Sequence, residues 1–242
     1  MKNVFRPLSL MIVAAGTLVA CSKEVAGPAP EAAATSALSG TVMLVDKYGK
    51  LQADQSNVLV MAEGQGRQQT LQTGANGSYR FGQLPAGKYK LHVSKEGFAP
   101  YHTEVQVGQQ PTQAATVMLG QPAAHQLLAS QLQMGAQQLS AHLDAVPAPA
   151  KGQPMGYRVF VASQPQPGAH NHVYTRIAST EVSGRYDLIS RHELQQLGFV
   201  KGQTIYIALH ADVLNVSPIT NTAFSSYPAM QAQPAAHFQI VL

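Results

Sequence analysis

Residues 74–93, GANGSYRFGQLPAGKYKLHV, narrow the possible folds of this chain more than any other stretch. Asn76-Gly77 is a turn pair, because glycine enters φ > 0 without steric cost and asparagine tolerates it. Beyond it Tyr79 and Phe81 share one face of a short strand, with Ser78 and Arg80 on the other. Pro85-Ala86-Gly87 turns the chain again. Tyr89, Leu91 and Val93 then line one face of a second strand, opposite Lys88, Lys90 and His92. Two strands and two turns in so short a span point to a β-sandwich.

The N-terminus has a different character. Lys2 and Arg6 precede an apolar run, residues 8–20, which ends at Cys21, the only cysteine. The run is short for a transmembrane helix, which needs about 20 apolar residues, and reads as a secretory signal. Leu18-Val19-Ala20-Cys21 resembles a bacterial lipobox. That resemblance implies cleavage before Cys21 and acylation of its thiol, so that buried acyl chains hold the protein to a membrane. Ser22, where an aspartate would favour inner-membrane retention, implies the outer membrane. Residues 22–37, rich in Ala, Pro and Glu, are expected to be a flexible tether. A lone cysteine permits no disulfide within the chain, so the fold must rest on its core. Without Lys2 and Arg6 the excess of basic over acidic residues falls from four to two. No basic run is present, and nucleic acid is not an expected partner.

Across residues 38–119 alternating segments recur at 41–45, 57–62, 68–73, in the two strands already described, and at 104–107 and 115–119. Seven short strands without a helix match a sandwich. Ser39-Gly40-Thr41-Val42, Gly49-Lys50-Leu51, Val58-Leu59-Val60, the segment from Thr70 to Phe81, Leu84-Pro85-Ala86-Gly87-Lys88-Tyr89 and Gly97-Phe98 together resemble the carboxypeptidase regulatory-like domain. The resemblance implies a transthyretin-like, seven-stranded β-sandwich and carries over no catalytic residues. Members often place acidic residues before the Asn/Asp-Gly turn. Here Gly74-Ala75 stand there, so a calcium site at the turn would lack carboxylates.

Residues 120–242 read as a second sandwich, similar in pattern to immunoglobulin-like or fibronectin type III-like modules. In 126–146 a period of two (Leu139, Ala141, Leu143, Ala145) favours two strands, with a helix as the rival because of the spacing of Leu128, Leu132, Leu139 and Leu143 and the helix preference of Gln, Ala and Leu. Further strands are expected at 157–162, 173–177, 186–189, 203–210 and along the C-terminus from Ala236. One short helix is expected at 190–197, opened by the capping box Ser190-x-x-Glu193 and stopped by Gly198. Residues 211–234 read as a long polar loop. The expected fold is thus all-β: two β-sandwich domains, 38–119 and 120–242, with one short helix in the second.

Motifs that carry chemistry are sparse. His192-Glu193 lacks the second histidine of a zinc-protease helix. His170 and His172 can point the same way from a strand, but no third ligand accompanies them at a suitable spacing, and no metal site is expected. There is no Gly-x-Ser-x-Gly elbow and no glycine-rich phosphate loop. Neither a cofactor nor an enzymatic activity is expected. Aromatic rings able to stack on a sugar fall in loops or at edges at Tyr48, Phe98, Tyr101 and Tyr227. The competing role for Phe98 and Tyr101 is to plug the sandwich end, favoured by the absence of tryptophan. Lys88, Lys90 and Lys95 read as a solvated face that guards a strand edge. The expected function is that of a non-catalytic, lipid-anchored outer-membrane protein, facing the periplasm or the cell surface, presenting sandwich modules for structural or protein-contact roles. The alternative is a carbohydrate-binding lipoprotein that aids polysaccharide capture.

Overall fold

The computed structural model describes residues 35–148, 150–180, 182–220 and 225–242. The leader, Cys21 and most of the expected tether lie outside the described residues. Strand β1 (Thr35–Val45) begins inside the stretch read as tether, with Ser36 and Ala37 both 7% exposed. Small residues without a large apolar side chain carry no periodic signal, which is why the strand start was not visible. From Leu38 onward the strand alternates, and Leu38, Val42 and Leu44 are fully buried.

β1 lies at the centre of the first sandwich. It pairs antiparallel with β4 (Ser78–Pro85), and parallel with β7 (Thr112–Gln113) and β8 (Val117–Gly120). The facing sheet runs β3-β2-β5-β6, formed by β2 (Leu59–Gly64), β3 (Arg67–Gln72), β5 (Gly87–Ser94) and β6 (Tyr101–Val107), antiparallel throughout. The two-residue β7 is the one strand beyond the seven expected. Tyr79, Phe81, Leu84, Tyr89, Leu91 and Val93 fill the space between the sheets together with Leu38, Val42, Val58 and Val60. Tyr79 meets Phe81 edge-on, with ring centroids 6.0 Å apart. Each fully buried side chain of this size contributes about 1.5–3 kcal/mol.

The second sandwich sets three strands against four. One sheet runs β13-β10-β9, from β9 (Gln126–Met134), β10 (Gln138–Val146) and β13 (Gly184–Ser190); residues 126–146 are therefore two strands. The other runs β12-β11-β14-β17, from β11 (Met155–Ala162), β12 (Tyr174–Thr180), β14 (Thr204–Asp212) and β17 (Ala236–Val241). Leu139, Ala141 and Leu143 of the first sheet meet Tyr157, Val159, Val161, Ile205, Ile207 and Leu209 of the second. This is the immunoglobulin and fibronectin type III-like arrangement expected. Helix α1 (Arg191–Gln196) joins the sheets. Ser190 Oγ accepts from the Glu193 N–H while the Glu193 carboxylate accepts from the Ser190 N–H, and Leu194 is buried in the core.

Residues 211–234 are not simply a polar loop. Ala211 and Asp212 complete β14, and Val213, Ile219 and Ala229 are buried. Within the stretch, β15 (Ile219–Thr220) pairs with β16 (Ser225–Ser226). Its buried apolar residues lie too far apart to form a period, so the sequence pattern could not show that the segment packs.

Candidate functional site

The two sandwiches meet where β1 ends. Leu44 faces the first core, whereas its neighbour Val45 is part of the second. Met118 and Val216 also pack against the second core. The segment after β14 runs beside β8. Ser217 N–H donates to Met118 O at 3.0 Å, and Met118 N–H donates to Ser217 Oγ at 2.9 Å. Gly120 lies directly beneath the Val216 side chain, where any Cβ would collide. Asn215 Nδ2 donates to Gly49 O at 3.0 Å. Gln231 Nε2 ties down the chain between the sandwiches, donating to His125 O at 2.7 Å and Ala123 O at 3.3 Å.

A cleft opens at this junction, and the turn after β1 makes one wall. Asp46 Oδ1 accepts from the amides of Tyr48 and Lys50, both at 2.9 Å, and Gly49 completes the turn at φ 80°. That geometry holds Tyr48 half-buried at the cleft's side. The facing wall comes from the β10–β11 connection, through Gly152, Gln153 and Pro154, with Leu214 and Asn215 beside it. The cleft is open to solvent on one side and has a volume of 290 Å³. Tyr48 also lines a pocket of 30 Å³ with Lys47, Ala124, His125, Pro147 and Met155. Lys47 Nζ stands 5.3 Å from the centroid of its ring.

A second cluster lies on the face of β11 and β14 turned away from the core. Every residue of β11 is buried, because the segments around His172 and Tyr227 cover its outer side. Arg158 Nε donates to Asp212 Oδ2 at 2.6 Å, and the guanidinium carbon lies 3.7 Å over the Tyr227 ring. Phe160 is surrounded by His172, His210 and Tyr227 at centroid distances of 5.1, 5.5 and 5.6 Å. Burial pushes the Asp212 carboxyl upward, while Arg158 and the Val213 amide pull it back. Burial lowers His210, which donates from Nδ1 to Gln231 O at 3.0 Å. It also lowers His125, whose Nε2 donates to Gly156 O at 3.0 Å. The cluster is satisfied internally and braces the covering segment. His172 and Tyr227 were singled out from the sequence, but for other roles, and Phe160 stands out only as a large apolar residue at the outward parity of its strand.

The four aromatic residues singled out from the sequence occupy separate places. Tyr48 lines the junction cleft, and Tyr227 is stacked on Arg158. Phe98 and Tyr101 are half-buried against the first core. Lys88 pairs with Glu104 at 2.5 Å on an exposed face, and Lys95 Nζ donates to Ser56 O at 2.5 Å. His172 Nδ1 donates to Gly168 O at 2.8 Å, and His170 is exposed. Among the described residues no three His, Cys, Asp or Glu side chains are grouped to hold a metal ion. Gly152, Gln153, Leu214 and Asn215 escaped the sequence reading, since nothing in a linear pattern brings them to Tyr48.

The eight strands around β1, the Asn76-Gly77 turn and the Tyr79–Phe81 core agree with a family model over one segment. Residues 37–120 match the carboxypeptidase regulatory-like domain. The matched segment coincides with the first sandwich and ends on Gly120 at the junction. Comparison with curated proteins finds no match. Among solved structures the chain is similar to a proposed carbohydrate binding protein from Bacteroides uniformis, at 16% identity over 86% of this chain and 99% of that one, with a TM-score of 0.31. It is also similar to a DUF3823 family protein from Parabacteroides merdae, at 16% identity over 82% of this chain and 98% of the other, TM-score 0.28. A proposed carbohydrate binding protein from Pseudomonas aeruginosa matches at 14% identity over 36% of this chain and 90% of its own, TM-score 0.28.

Proposed function

We propose that this chain is a non-catalytic lipoprotein of the bacterial outer membrane, anchored through Cys21, which presents its two sandwiches as one body for contact with another envelope component. The junction is the observation that supports this reading. Paired modules joined by a linker usually move independently. Here Val45, Met118 and Val216 are shared with the second core, and Met118 and Ser217 exchange two hydrogen bonds. A body braced in this way holds surfaces from both modules in a constant relation, which suits a contact role at the end of a tether. In the lipobox reading the acyl chains on Cys21 supply the attachment, at about 0.8 kcal/mol per buried CH₂.

The anchor is tested by metabolic labelling with a palmitate analogue, followed by membrane fractionation. Wild type should be labelled and recovered with the outer membrane. Cys21→Ser should be unlabelled and released from it. A Cys21→Ser protein that still carries label would remove the anchor from this reading.

A further inference from the structure

The junction cleft is a built space that the contact role alone does not explain. Its walls come from both sandwiches, and the 290 Å³ between them lies near the lower bound, about 300 Å³, of small-molecule sites. That is room for a single ring rather than a length of chain. Tyr48 contributes an aromatic side chain, and Asp46 Oδ1 holds the turn by accepting from the Tyr48 and Lys50 amides. Two glycines at positive φ, Gly49 and Gly152, form parts of the walls without side chains to fill the space. Among the described residues neither the Lys50 ammonium nor the Gln153 carboxamide has a hydrogen-bond partner, and both line the cleft.

The charges narrow the ligand further. Lys50 lines the cleft, Lys47 stands over the Tyr48 ring, and Lys151 precedes Gly152 in sequence. The lining acid is Asp46, whose Oδ1 already accepts two amides. An aromatic ring suits the apolar C–H face of a pyranose. An amide that both donates and accepts suits its hydroxyls, and an unpaired ammonium suits a carboxylate. We propose that the cleft binds one carboxylated pyranose, a uronic acid unit, with Tyr48 as the stacking surface, Lys50 on the carboxylate and Gln153 on the hydroxyls. This rests on the reading of the chain as an envelope contact module and names the chemistry that it contacts.

The test is saturation-transfer NMR on the full-length chain with methyl glucuronide, and with methyl glucoside as the neutral comparison. The glucuronide should receive transfer, with the glucoside at least about fivefold weaker. Tyr48→Ala should weaken glucuronide binding at least about tenfold. Lys50→Gln should abolish the preference for the acid while leaving weak binding of both sugars. Circular dichroism checks that each variant is folded. Gln153→Ala, on the opposite wall, replaces Tyr48→Ala if that protein does not fold, and should weaken binding of both sugars. Absence of transfer to the glucuronide, or transfer unchanged in the folded variants, overturns the proposal. Neither result bears on the Cys21 anchor, which is read by labelling, so the two ideas fail separately.

Discussion

Gly77 shows how much one residue can determine. It sits at φ 76°, and a Cβ there would be driven into the Val42 carbonyl oxygen. That oxygen belongs to β1, and the Val42 N–H in turn donates to Gly77 O at 2.9 Å. The side chain of Asn76 closes the same turn by accepting from the Ser78 amide and hydroxyl, at 3.1 and 2.7 Å. Gly77→Ala would therefore meet both a left-handed backbone penalty and a clash that only movement of β1 can relieve. It should cost about 1–3 kcal/mol, or more if β1 does not shift. Urea denaturation of the purified protein measures it, and a midpoint equal to wild type would contradict the account.

Among the elements, the segment after β14 has the clearest pH dependence. It is held over the sheet partly by His210, which donates to Gln231 O, and the chain leading into the second sandwich is held by His125, which donates to Gly156 O. Both are lowered by burial, so the fold keeps them neutral at a pH where the unfolded chain, with histidines near 6.5, takes up protons. Stability should therefore be full above about pH 7 and fall as the pH drops through the unfolded value. Asp212 acts in the opposite sense at lower pH, because its raised carboxyl binds a proton more tightly in the fold than in the unfolded chain. His210→Gln preserves a donor and removes one titrating group. Its urea midpoint should fall less than that of wild type between pH 7.5 and 5.5, an interval of about one unit either side of the histidine value. Parallel curves would mean that His210 does not contribute.

For the whole molecule, the junction predicts cooperative unfolding. Met118 and Val216 pack on the second core although Met118 belongs to β8, and Ser217 bonds back to it. Scanning calorimetry of the full chain should show one transition, and two well-separated transitions would show that the sandwiches are energetically independent. Ser217→Ala leaves the Met118 N–H without its acceptor and should cost about 1 kcal/mol. Both arms matter for the proposed role, since a pair of uncoupled modules could not hold the two walls of the cleft in register.

Most of the architecture was legible because it is local. Tyr79 with Phe81, and Tyr89 with Leu91, alternate about turns that glycine and proline dictate, and Ser190 with Glu193 caps a helix three residues apart. A period of two also identifies which face of a strand is buried. It does not identify the sheet that the strand joins: β4 and β5 are consecutive, yet β4 pairs with β1 while β5 pairs with β2 and β6. Nor does it show that the outward face of β11 is covered, that Arg158 finds Asp212 across 54 positions, or that Tyr48 faces Gln153 and Asn215. Backbone preferences and side-chain alternation act over a few residues and are written in order along the chain. Strand partners, the junction and the cleft depend on which buried surfaces meet, and that is settled only when distant segments compete for the same core.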